Sequence, residues 1–75
     1  MQTVETLDFS GLKCPLPALM AKRAVSRAAP GTTIRVIADD PLAYIDIQHM
    51  CRAEGFDVLS SEREGDVVRL VLRRP

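Results

Sequence analysis

A β-branched run, Thr32 to Ala38 (TTIRVIA), lies between Pro30-Gly31 and Asp39-Asp40-Pro41 and constrains the fold more than any other stretch. Its Val, Ile and Thr side chains are stiff at χ1 and pack well on a pleated surface, so the run predicts a largely buried strand. On either side the pattern turns helical. From Pro15 to Ala29 strong helix formers dominate, with Ala18, Ala21, Val25 and Ala28 on one face, and Pro30-Gly31 stops the helix. After Asp39-Asp40-Pro41, Ala43, Ile47 and Met50 share one side of a second helix, and Gly55 stands where a C-terminal glycine cap belongs.

The remaining segments alternate. Thr3 to Phe9 reads as a first strand ending at the Ser10-Gly11 turn, Phe56 to Ser61 as a third strand and Val67 to Arg73 as a fourth. Glu62 to Asp66, polar and containing Gly65, reads as the hairpin loop between the last two. The order βαβαββ predicts a two-layer α/β sandwich with a mixed four-stranded sheet and both helices on one face. Arg35, Asp57, Arg69 and Arg73 then fall on the other face with Ile37, Leu59, Val67 and Val71. Seventy-five residues leave room for a single domain spanning 1–75.

Charge and cysteine content exclude several classes. Ten basic residues balance ten acidic ones, so no global field draws the chain to nucleic acid or to an anionic membrane. No apolar run is long enough to span a bilayer, and the start MQTVETLDF lacks the basic and apolar stretches of a secretory signal, which implies a cytoplasmic protein. Two cysteines and one histidine cannot complete a four-ligand zinc site, so neither metal nor cofactor is expected. Nothing in the spacing of Cys14 and Cys51 argues for or against a disulfide between them; the reduced state is the ordinary one inside a cell.

The two helix starts set one residue apart. Each has a residue followed by proline at the expected first helical position, where the fixed φ and missing N–H of proline do no harm. Before the second helix that residue is Asp40, a good N-cap; before the first it is Cys14, a poor cap as a neutral thiol. As a thiolate it would gain from the positive end of the helix, so the expectation is a Cys14 pKa below the ordinary value of about 8.5. Gly11 supplies the turn, Lys13 adds positive potential, and Pro15 and Pro17 stiffen the loop. Two readings follow: a small apolar cysteine tucked under the turn, or, favoured here, an exposed nucleophile. The lone His49 lies toward the far end of the second helix, which argues against a Cys/His hydrolase. A nucleophilic sulfur with neither base nor metal suits accepting a group and passing it on.

Leu7-Asp8 followed by Gly11-Leu12-Lys13-Cys14-Pro15-Leu16-Pro17 resembles the CPxP signature of the TusA (SirA-like) sulfur-carrier family. Ala38-Asp39-Asp40-Pro41, Asp46-Ile47, Cys51 and Gly55 also fall where that family has a DDP turn, a DI pair in the second helix, a frequent second cysteine and a glycine before the third strand. The resemblance implies a fold similar to the C-terminal domain of translation initiation factor 3, and a persulfide carried on Cys14. A cysteine desulfurase or rhodanese-type enzyme would load it. A downstream acceptor protein would take the sulfur, toward tRNA 2-thiolation, molybdenum-cofactor synthesis or sulfur oxidation. A monomer is expected, since a carrier must show its loop to successive partners.

The other candidates carry less. Asp39 and Asp40 read as cap and turn residues, with direct handling of sulfur the weaker alternative. Cys51 reads as buried rather than as a resolving thiol, and His49 and Arg52 as solvent-facing. The basic run Lys22, Arg23 and Arg27 reads as a solvated face that begins near Cys14 and could meet an acidic partner. Two functions of other classes compete: a small RNA- or protein-binding module without thiol chemistry, and a redox protein pairing Cys14 with Cys51.

Overall fold

A computed structural model describes residues 4–75. The elements follow the expected order: β1 (Val4–Asp8), α1 (Leu16–Arg27), β2 (Thr33–Ala38), α2 (Pro41–Glu54), β3 (Asp57–Glu64) and β4 (Val67–Arg73). Thr3, where the predicted first strand starts, lies outside the described residues together with Met1 and Gln2. The sheet runs β1-β2-β4-β3, with β1 parallel to β2 and β4 antiparallel to both its neighbours. It is the mixed sheet that two helical crossovers and one hairpin require.

Alternation along the two central strands decides which face is the core. Ile34, Val36 and Ala38 of β2 and Val68, Leu70 and Leu72 of β4 are buried under the helices, joined there by Ala21 and Val25 of α1 and Ala43, Ile47 and Cys51 of α2. On the opposite face Arg35 and Arg69 are exposed, while Ile37 and Val71 are half-buried between them. That face is therefore mixed in character, as the strand pattern predicts.

Most boundaries fall within a residue or two of the sequence expectation, and two differences have a clear physical cause. β3 continues through Glu62, Arg63 and Glu64, which reads as loop in the sequence, and the turn shrinks to Gly65 and Asp66, with Gly65 at φ +59°. The reason is the partner: β4 offers a continuous ladder, pairing Glu62 with Arg69 and Glu64 with Val67, and pairing outweighs the low strand propensity of charged residues. Those charges also blunt an exposed sheet edge. The register shifts between Val58 and Ser60, leaving Leu59 as an extra residue, so the simple alternation read from Phe56 to Ser61 breaks at the bulge.

The second difference is the start of α1. Its N-cap is Pro15, not Cys14, and no side chain caps it. Pro15 and Pro17 lack an N–H, and Leu16 donates its own to Lys13 O at 2.8 Å, so few free donors remain at this end to act on the thiol. α2 behaves as expected. Asp40 is its N-cap, accepting from Leu42 N through Oδ1 at 3.0 Å, and Gly55 closes it in the left-handed region at φ +78°.

Candidate functional site

Asp39 and Asp40, at the end of β2, reach across to the loop that carries Cys14. Asp39 Oδ1 accepts from Gly11 N at 2.9 Å, and Asp40 Oδ2 accepts from Cys14 N at 2.7 Å. Asp40 is only 8% exposed, and its two oxygens serve different elements: one caps α2, the other holds Cys14. These donated N–H bonds, from Cys14 and then Leu42, hold its carboxyl below the usual carboxylate range, with Lys13 assisting. Asp40 thus caps α2 as the sequence suggests, and both aspartates also brace a loop far away in sequence. Their bonds go to backbone N–H groups, not to sulfur.

The other loop residues have distinct parts. Gly11 sits at φ +87°, a conformation that favours glycine. Lys13 is exposed; Pro15 is exposed beside the sulfur, whereas Pro17 is fully buried and anchors the first turn of α1 to the core. Cys14 itself is exposed, which removes the reading that it is tucked under the turn.

The sulfur's surroundings correct the expected pKa. Cys14 Sγ points to α2, donating to Asp46 Oδ2 at 2.6 Å. That hydrogen bond pushes the thiol pKa up, aided by desolvation and the negative charges of Asp46 and Asp40. The positive end of α1 does not lower this pKa, because that end has few free N–H groups and a carboxylate stands at bonding distance from the sulfur. Asp46 is the site residue that the reading of residue chemistry missed, though the DI pair was visible as a family match. Its signal was available in the spacing: Asp46, Met50 and Ala53 form an i, i+4, i+7 stripe on α2.

That stripe faces α1 across a groove of about 500 Å³ lined by Cys14, Pro15, Ala18, Leu19, Met50 and Ala53, among others. Lys22 and Glu54 form an exposed ion pair across it at 3.8 Å. The contacts Cys14–Asp46 and Lys22–Glu54 show that the two helices run in the same direction. His49 is exposed, as expected, yet it lines this groove too; the sulfur's hydrogen bond goes to Asp46 and not to it. The basic run on α1 divides: Lys22 faces the groove, while Arg23 and Arg27 border a separate depression with Leu7, Phe9 and Met20.

Cys51 is fully buried in the core, and burial pushes its thiol up to about 11. Both cysteines are free. Among the described residues no cluster of His, Cys, Asp or Glu could hold a metal, and no helix is long and apolar enough to cross a membrane.

The two-layer fold and the Cys-Pro-Leu-Pro loop together define a class of small thiol-bearing domains. Residues 5–74 match the family described as Sulfurtransferase TusA, and the chain belongs to that family. Among its relatives are two proteins of Neisseria meningitidis, from serogroups A and B, whose names propose them as sulfur carrier proteins. Each is 41% identical over 69 residues, covering 92% of this chain and 93% of the relative. A SirA-like protein of Desulfitobacterium hafniense shares the fold, with a TM-score of 0.77 at 23% identity, over 95% of this chain and 96% of that one.

Proposed function

We propose that this chain carries sulfane sulfur as a persulfide on Cys14 and relays it between proteins. The observation that supports this most is the placement of Sγ: exposed, on a loop pinned by two aspartates, at a groove between the helices. Once Sγ has lost its proton, the thiolate attacks the outer sulfur of a donor persulfide R–S–SH. The donor S–S bond breaks, R–S⁻ leaves, and Cys14–S–SH forms. An acceptor thiolate then attacks the same outer sulfur, and Cys14 leaves as thiolate, so no net oxidation occurs and no cofactor is consumed. A cysteine desulfurase or rhodanese-type enzyme is the donor class and a protein thiol the acceptor class.

The test is intact mass after incubation with a cysteine desulfurase and L-cysteine. The wild-type chain gains one sulfur, Cys14→Ser gains none and Cys51→Ser gains it normally. A gain that persists in Cys14→Ser overturns the proposal, and a gain lost only in Cys51→Ser moves the site to the buried cysteine.

A further inference from the structure

We propose that Asp46 is a proton latch on Cys14: through the 2.6 Å contact of its Oδ2 with Sγ it holds the unloaded carrier in the thiol form. Sulfur acceptance then begins when a docking protein neutralises or displaces that carboxylate. The inference rests on the carrier reading of Cys14 and adds a control on when its sulfur reacts.

Three aspartates surround the loop, and they divide by what they touch. Asp39 and Asp40 accept from backbone N–H groups and hold the scaffold, while Asp46 accepts from the reacting atom. The helix gives no local reason for an aspartate there. Asp46 lies in the second turn of α2, beyond the first-turn positions where a carboxylate meets free N–H groups, and aspartate is a poor residue for a helix interior. Its contact with sulfur is the role the geometry supplies.

The charges around the sulfur reinforce the latch. Asp40 faces the loop from the head of α2, and the carboxylates of Asp40 and Asp46 both disfavour a thiolate. Lys13 on the loop lies near Asp40, Asp39 is engaged with Gly11, and Lys22 on α1 pairs with Glu54 farther along the groove, with exposed His49 on the α2 wall. In the isolated protein the hydrogen-bonding group at Sγ is thus an acceptor that favours the protonated sulfur. An arginine or lysine of a partner, placed against Asp46, would cancel the charge and free the thiol to ionise.

The experiment is the pH dependence of Cys14 alkylation by iodoacetamide, in which the thiolate displaces iodide, for the full chain and for Asp46→Asn, Asp46→Ala and Glu5→Gln. Cys51→Ser serves as background so that one thiol is read, and thermal melts confirm folding. Asp46→Asn and Asp46→Ala should move the midpoint to lower pH and react several-fold faster at pH 7, while Glu5→Gln tracks the parent. Superimposable profiles for the parent and both Asp46 variants overturn the latch, as does a midpoint that rises. If an Asp46 variant melts early, Asp46→Glu is the second arm: retained charge should keep its midpoint nearer the parent's than that of Asn, and a profile like that of Asn overturns the proposal. Alkylation consumes no sulfane sulfur, so an unchanged profile leaves the carrier reading intact, and failed desulfurase loading leaves the latch intact.

Discussion

Cys14 and Cys51 are the same residue in two environments, and each is displaced from ordinary thiol behaviour in the same direction for a different reason. At Cys14 a neighbouring carboxylate accepts a hydrogen bond from the thiol; at Cys51 the apolar core disfavours a buried charge. The second effect has a consequence for stability. The folded-state pKa of Cys51, about 11, lies above that of a free thiol, so the unfolded chain loses this proton first as pH rises. The contribution is fully present below about pH 9 and is lost as pH climbs toward 11. Thermal melts from pH 8 upward should show the parent losing stability more steeply than Cys51→Ala, whose absolute stability is lower because of the cavity. Parallel slopes would contradict this.

At the scale of elements, local chemistry was legible wherever an element carries its own boundary signals. Asp40-Pro41 and Gly55 mark α2 at both ends, and β4 was read to its observed limits from alternation alone. What escaped depends on residues distant in sequence. The length of β3 is set by its pairing with β4, the N-cap of α1 by two prolines that remove its donors, and the state of Cys14 by Asp46. The sulfur-bearing residue was therefore visible, while the direction of its pKa was not. The end of α1 shows the same dependence: Arg74, beyond β4, donates through one guanidinium nitrogen to Val25 O at 3.3 Å and to Ser26 O. It places a cation and hydrogen-bond donors on the last carbonyls of the helix, where both are favourable. Arg74→Ala should cost about 1 kcal/mol in urea unfolding, with Arg74→Lys intermediate because it keeps charge but not the planar donor geometry.

At the scale of the whole molecule, the Cα radius of gyration is 11.0 Å, close to the roughly 11 Å expected for a compact chain of this length, so little slack surrounds its core. Leu70 lies at the centre of that core, fully buried on β4 between β2 and β3. Leu70→Ala should cost about 2–5 kcal/mol, a large share of the roughly 5–15 kcal/mol that holds a domain folded, and the fall in urea midpoint measures it. Loading of Cys14 in the fraction still folded should persist, because the sulfur's loop is held by polar bonds to Asp39 and Asp40 rather than by this contact.

The two oxygens of Asp40 carry a mechanical consequence. One fastens the head of α2 and the other fastens Cys14, so the sulfur is moored to a helix to which it does not belong. Swinging the loop outward would uncap that helix. Loop and helix head share one carboxylate, so a displacement of either is expected to strain the bond to the other.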